Sequence, residues 1–172
     1  MCRARGDHPE LTLPMILNRQ RGIRVSIRKL DEFAAVARKL LKVPDDAVTV
    51  CLVSNVEMAR WNRAYRGKEG PTDVLSFPCD AAGLRPRTER TNLKNKPRSS
   101  ADSTDAASYL GDIAIAPRVA RRNALRFGRT FDQEMRILIL HGMLHLMGYD
   151  HETDSGQMDR REHKLRRALK LE

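Results

Sequence analysis

Three of the chain's five histidines, His141, His145 and His151, stand within eleven residues of one another. The first two are four residues apart, a spacing that puts both side chains on one face of a helix, with Cβ atoms about 5–6 Å apart. Neutral imidazole suits Zn2+, and three imidazoles leave a fourth coordination position open for water. The spacing therefore predicts a metal site of the catalytic kind.

The residues between these histidines predict how the third one reaches the other two. Residues 131–140 contain no Gly or Pro and are typical of a helix. If that helix continued, His151 would point about 120° away from the face that carries His145. Gly148 is the residue type that ends helices by taking a positive φ. We therefore expect the helix to stop there and the chain to fold back with His151.

The same spacing occurs in the metzincin proteases, whose motif has a general-base glutamate directly after the first histidine. Gly142 occupies that position in this chain. A metallopeptidase would thus lack the group that activates its water. We keep this activity only as a minor alternative.

The composition indicates a basic domain that is long enough to bury a core. The chain has 172 residues, and its 32 Lys and Arg against 22 Asp and Glu give a net charge of +10. This charge favours a polyanionic partner, most simply nucleic acid. No apolar run reaches membrane-spanning length, so we expect no membrane partner. Cys2, Cys51 and Cys79 are widely spaced and odd in number, which predicts unpaired thiols and a cytoplasmic location.

Hydrophobic periodicity and turn residues predict about four short strands and five helices. Strands are expected within residues 15–27, at Ala47–Val53, after Pro71 and at Leu110–Ala116. Helices are expected at Leu30–Leu41, from a Ser54 cap to about Tyr65, at Arg118–Phe127, through the histidines, and near Asp154–Leu169. We predict an α+β fold with helices packed on a small mixed sheet. The histidine helix is apolar nearly all round, which predicts a central position.

Two segments do not fit a packed domain. Residues 1–14 mix charge with two prolines and lack periodicity, which predicts a disordered extension. Residues 83–108 are polar, and their first part, 83–98, holds six basic residues and one acidic residue. Such a stretch has no apolar face to bury, so we expect a mobile basic loop inserted in a single domain, residues 15–172.

Three segments together resemble the YbeY family of bacterial rRNA maturation factors. They are Tyr65–Pro78, Leu110–Ile113 and His141–His151, and the resemblance covers roughly residues 15–170. It implies a zinc-dependent endoribonuclease that cuts single-stranded RNA, matures the 3′ end of small-subunit rRNA and takes part in ribosome quality control. The ligands of the family's single zinc ion fall on the three histidines, and its functional arginine falls on Arg66.

Four further side chains are candidates for supporting roles. Arg66 has a permanent charge and can bind a phosphate through two parallel hydrogen bonds, so we predict that it acts with a metal-bound water. Asp73, Asp112 and Asp150 are candidates for orienting the ligand histidines by accepting a hydrogen bond from a ring N–H. For each of them, a carboxylate that caps a turn is the competing interpretation.

Two questions about the chemistry stay open at this level. The sequence has no obvious general base, and the nucleophile is either a metal-activated water or the RNA 2′-hydroxyl. The main alternative to the enzyme is a non-catalytic ribosome-assembly factor that binds RNA and uses zinc only to hold its fold. Structural zinc sites usually have four protein ligands, whereas three are in view here.

Overall fold

The structure is a computed structural model that describes residues 15–79, 109–151 and 154–172. The predicted extension, residues 1–14, and the predicted loop, residues 83–108, lie outside these ranges. The described residues form five helices and a four-stranded mixed sheet, which confirms the predicted α+β class. Within the same ranges, no helix is long and apolar enough to cross a bilayer.

The elements lie close to their predicted positions. The strands are β1 (Ile16–Asn18), β2 (Val48–Leu52), β3 (Val74–Pro78) and β4 (Gly111–Ile115). The helices are α1 (Ile27–Leu41), α2 (Asn55–Arg66), α3 (Pro117–Arg126), α4 (Phe131–Leu146) and α5 (Gln157–Ala168). Helix α1 begins three residues earlier than the periodicity predicted, since a helix's first turn needs few apolar contacts.

The sheet has the order β1-β2-β4-β3. Strands β1 and β4 both pair in parallel with β2, whereas β3 pairs antiparallel with β4. This arrangement puts β1 at one edge of the sheet and β3 at the other. Helix α1 contacts β1, helix α4 contacts β3 and β4, and the two helices also pack against each other.

Helix α4 carries the first two histidines and is the central helix, as predicted. It contacts helices α1, α3 and α5 as well as strands β3 and β4. Its start is fixed by a capping box, in which the Thr130 hydroxyl accepts from the Gln133 backbone N–H and the Gln133 side chain accepts from Thr130. A helix enclosed on so many sides holds its side chains in place.

Candidate metal centre

The three predicted ligand histidines converge at the carboxyl end of α4. The Nε2 atoms of His141 and His145 lie 3.1 Å apart. One ring nitrogen from each of the three histidines lies within 4.8 Å of the others. Two nitrogens bound to one tetrahedral zinc ion at about 2.0–2.1 Å are about 3.4 Å apart, so the cluster has the dimensions of one metal ion.

The end of α4 brings His151 back to the other two histidines. The Gly148 N–H donates to the His145 carbonyl at 3.0 Å, and the Tyr149 N–H donates to the Leu144 carbonyl at 3.1 Å. These two bonds form a Schellman motif, which needs a positive φ at its turning residue. Gly148 has a φ of +91°, in agreement with the predicted stop. The reversal that follows carries His151 to the cluster.

A carboxylate that the sequence did not single out holds the first histidine. Oε2 of Glu162, on α5, lies 3.0 Å from Nδ1 of His141, and Arg166 pairs with the other carboxylate oxygen. An ionised carboxylate only accepts hydrogen bonds, so it keeps the proton of a neutral His141 on Nδ1. The Nε2 lone pair then faces the other histidines, as a metal ligand requires.

The charges around the cluster keep these groups in the states that metal binding needs. Burial raises the pKa of the Glu162 carboxyl, but the hydrogen bond from His141 and the positive charges beside it, those of Arg166 and of His141 when protonated, outweigh burial and hold that pKa below its ordinary value. Burial and the neighbouring His141 and His151 lower the pKa of His145, against the opposing charge of Asp150. A neutral imidazole and an ionised carboxylate are therefore favoured near neutral pH.

The histidines open into a cleft of about 560 Å³. One wall is the end of α2, another is strand β3, and the floor is α4 with the segment that follows it. The lining residues are Tyr65, Arg66, Thr72, Asp73, Val74, Leu75, Ser76, Phe77, Pro78, His141, His145, Gly148, Tyr149, Asp150 and His151. Arg66 and Asp150 thus share one concave space with all three histidines.

Aromatic packing positions Arg66 on the cleft wall. Arg66 is the last residue of α2, and the rings of Trp61 and Tyr65 on this helix meet the ring of Phe77 edge-on, at 5.8 and 4.9 Å between centroids. These contacts join the last turns of α2 to β3. The buried Asn62 side chain also donates to the Gly70 carbonyl at 2.9 Å, which fixes the turn after Arg66.

Asp73 lies in the cleft, but its hydrogen bonds support the cleft wall. Its Oδ1 accepts from the Thr72 hydroxyl and the Val74 N–H, and its Oδ2 accepts from the Asn123 side chain of α3 at 2.9 Å. Its carbonyl oxygen accepts from the Ala116 N–H at 2.8 Å. These contacts agree with the competing interpretation, in which the Asp73 carboxylate caps a turn. They also join β3 to α3.

The structure does not bring Asp112 to the histidines. Its neighbour Ile113 packs on α4 beside Gly142, and successive side chains of a strand point to opposite faces of the sheet. Asp112 instead accepts a hydrogen bond from the Tyr109 hydroxyl at 2.7 Å, and that hydroxyl also lies 3.1 Å from the Thr49 hydroxyl. Asp112 is kept from the histidines because alternate residues of β4 point to opposite faces of the sheet. The sequence motif alone does not predict which face Asp112 occupies.

The position that holds the general base in metzincins faces the sheet here. A Cβ atom at Gly142 would lie 2.7 Å from Cγ2 of Ile113, which is fully buried on β4. Only a glycine allows α4 to approach β4 this closely. A glutamate at this position would collide with the sheet and would not reach the cleft, which speaks against the metallopeptidase alternative.

The sequence did contain a signal for Glu162. Met158 and Leu165 lie on the apolar face of α5, Leu169 follows directly after the helix, and Glu162 falls on the same face four residues after Met158. An acidic side chain on an apolar helix face is buried when the helix packs. Burial of its charge is tolerated only with a charged or hydrogen-bonding partner. Glu162 is 6% exposed, and its partners are His141 and Arg166.

Comparisons with known proteins find similar chains along most of the sequence. The family described as endoribonuclease YbeY matches residues 16–170. A relative from Koribacter versatilis, named endoribonuclease YbeY, is 38% identical over 157 residues, which are 91% of this chain and 86% of the relative. A second relative with the same name, from Geobacillus kaustophilus, is 38% identical over 129 residues, which are 74% of this chain and 75% of the relative.

A solved structure has a similar fold. The solution structure of a Thermotoga maritima protein aligns with a TM-score of 0.51 and 28% sequence identity, and the alignment covers 91% of this chain and 86% of that one.

Proposed function

The chain belongs to the endoribonuclease YbeY family, and on that premise we propose that it is a metal-dependent hydrolase that cuts RNA phosphodiester bonds in ribosomal RNA processing. The finer parts of the proposal are that the metal is one zinc ion, that the substrate is single-stranded, and that the products include the mature 3′ end of small-subunit rRNA. We also propose a role in ribosome quality control and a cytoplasmic location.

The observation that carries the proposal is the convergence of three imidazoles in a cleft that also holds an arginine. His141, His145 and His151 would hold the ion. When bound, the ion supplies Lewis-acid chemistry, because it polarises a phosphoryl oxygen and lowers the pKa of a water to about 7. Among the described residues, no Cys, Asp or Glu joins the three histidines as a fourth ligand, which favours a catalytic metal over a structural one.

The chain's own residues bind and orient the substrate around that centre. Arg66 holds a phosphate oxygen at the cleft wall and stabilises the negative charge that develops on it. Glu162 keeps His141 oriented with its Nε2 toward the ion, and Arg166 keeps Glu162 ionised. Asp150 adds a negative charge beside His145, which offsets part of the charge of a bound cation.

Cleavage of a labelled single-stranded RNA by the purified protein, with a matched duplex alongside, tests the function. We expect cleavage of the single strand, loss of activity with a chelator, and recovery when zinc is restored. His145→Ala should stay folded, as judged by circular dichroism, and should not cleave. The ends of the products identify the nucleophile, since a 2′,3′-cyclic phosphate forms only when the 2′-hydroxyl attacks.

The same experiment separates the enzyme from a non-catalytic assembly factor. An assembly factor with a structural zinc would bind the RNA without cutting it, and His145→Ala would unfold or lose stability. Cleavage that persists without metal, or in His145→Ala at the wild-type rate, would remove the metal centre from the mechanism.

A further inference from the structure

The outward face of α3 carries a row of arginines. Residues 117–130 contain five arginines and no acidic residue. Arg118, Arg122 and Arg126 are each four residues apart, so they form one ridge along the helix. All three are exposed. Arg121 is also exposed, so all four arginines of α3 reach solvent.

These arginines are not neutralised within the described part of the chain. The ion pairs among described residues include Arg129 with Glu134, but none involves Arg118, Arg122 or Arg126. Like charges four residues apart destabilise a helix, and a positive charge in its first turn opposes the helix dipole. Only Arg126, in the last turn, is favoured by that dipole, so the row as a whole is better suited to binding a polyanion than to stabilising α3.

An exposed aromatic ring stands at the end of this row. Phe127 is 53% exposed, and the guanidinium groups of Arg126 and Arg129 lie 5.6 and 5.2 Å from its ring centroid. Leu125, on the outer face one residue before Arg126, is 80% exposed. Unpaired bases stack on aromatic rings and on guanidinium planes. An acidic protein would require only the positive charges for binding, so the exposed ring favours RNA as the partner.

Helix α3 adjoins the cleft that holds the histidines. Asn123, between Arg122 and Arg126 in the chain, donates to the Asp73 carboxylate at 2.9 Å, and Asp73 lines the cleft. Helix α3 therefore borders the cleft at Asp73, and an RNA strand that runs over Asp73 passes beside this helix. The helix has ten residues and is about 15 Å long, which gives room for more than one nucleotide.

We propose that Arg118, Arg122, Arg126 and Phe127 form a second RNA-binding surface, the α3 surface, which holds the single-stranded RNA beside the bond that is cut in the cleft. The arginines bind successive phosphates and Phe127 stacks on a base. This inference rests on the proposed function for the role of the cleft. Binding of RNA by the α3 surface is measured without cleavage, so the two proposals fail separately.

The test compares two sets of charge-removing substitutions in the full chain. One variant carries Arg118→Gln, Arg122→Gln and Arg126→Gln, and the control carries Arg24→Gln, Lys29→Gln and Lys39→Gln. The control residues are exposed and lie in α1, which contacts the edge strand opposite β3, and in the loop before α1. A third variant is Phe127→Ala. Fluorescence anisotropy with metal-free protein measures binding to single-stranded RNAs of stepwise increasing length and to labelled polyglutamate.

We expect the α3 triple variant to bind long RNA at least about tenfold more weakly, with a slope of log K against log salt that is smaller by about 2, since each lost phosphate contact removes about 0.7. Phe127→Ala should weaken binding by about tenfold with an unchanged salt slope. RNA too short to leave the cleft should bind all variants equally, and the control should match wild type.

Three results would overturn the inference. The first is equal weakening in the α3 variant and the control, which would indicate only a general charge effect. The second is weakening that does not depend on RNA length. The third is unchanged binding in Phe127→Ala together with equal loss of binding to polyglutamate and RNA, which would indicate an acidic protein partner. If wild type binds but does not cleave, the α3 result still stands and the proposed function fails.

Discussion

Oε2 of Glu162, on α5, lies 3.0 Å from Nδ1 of His141, on α4. The two residues are 21 positions apart in the sequence. Helix α5 thereby sets the orientation of a ligand that belongs to α4. Glu162 is buried, and Arg166 pairs with its other carboxylate oxygen. The metal centre therefore depends on the docking of the last helix as well as on the histidine motif.

Removing the Glu162 carboxylate should weaken metal binding without removing a ligand. We expect Glu162→Ala to lower zinc affinity by about 100-fold and Glu162→Gln by about tenfold, since losses of outer partners of ligand histidines span about 10–100-fold. The glutamine keeps an oxygen that accepts from Nδ1 but lacks the charge. Competition with a chromophoric chelator measures the affinity in the absence of RNA.

Asp159→Asn is the matched control for this pair, because Asp159 is an exposed acid on the same helix. It should bind zinc as wild type does. If Glu162→Ala kept wild-type affinity, or if Asp159→Asn lost as much, the contact with His141 would have no role in metal binding.

Gly148→Ala should weaken both the fold and the metal site. An alanine at a φ of +91° is strained by about 1–2 kcal/mol, and relief of that strain would move the turn that carries His151. Gly128→Ala is a strict control, since Gly128 also has a positive φ, of +66°, with no atom near its added Cβ.

Both glycine variants should lose stability in chemical denaturation by similar amounts. Only Gly148→Ala should also lose zinc affinity in the chelator competition. Equal zinc affinities in the two variants would show that the turn at Gly148 does not position His151.

Gly142→Ala should destabilise the protein through one identified neighbour. The added Cβ would lie 2.7 Å from Cγ2 of Ile113. Overpacking of this kind destabilises a protein by about 1–3 kcal/mol. The better helix propensity of alanine offsets about 1 kcal/mol of this loss. In an Ile113→Ala background the clash is gone, so the substitution should become neutral or stabilising.

A double-mutant cycle from denaturation curves should give a coupling of about 1–2 kcal/mol between the two positions. Gly22→Ala is the control, because its nearest neighbour beyond the adjacent residues is the Gln20 side chain at 3.8 Å. Additive effects of Gly142→Ala and Ile113→Ala would contradict the close approach of α4 to β4.

Tyr109 should make stability depend on pH in the alkaline range. Burial, with further contributions from Asp112, raises the pKa of Tyr109 to about 12. The folded state thus holds this proton more tightly than the unfolded state, whose tyrosine has a pKa of about 10. The contribution to stability is complete below about pH 10 and is lost as pH rises toward 12.

Absorbance of tyrosinate during an alkaline titration should show one of the three tyrosines ionising late, and Tyr109→Phe should remove that late step. The loss of stability between about pH 9 and pH 11 should also be smaller in Tyr109→Phe. A late step that survives the substitution would show that Tyr109 is not its source.

Most of the fold was predictable because its signals are local. The strand at Ala47–Val53 and the helix before Pro44 follow from short-range periodicity, and the structure has both, as β2 and α1. The order β1-β2-β4-β3 could not be read in the same way, because strand pairing depends on contacts between distant segments. The same limit explains Asp112, whose motif was visible but whose face of the sheet was not.

The sequence by itself determined that His141 and His145 share a helix face and that Gly148 ends the helix, because helical period and backbone freedom belong to a few neighbouring residues. Only the tertiary structure decided that Glu162 would hold His141 and that Asp73 would hold the cleft wall through α3. These contacts join segments 21 and 50 residues apart. Such groups come together because the core is buried when the chain folds. The spacing of residues within one segment does not predict their proximity.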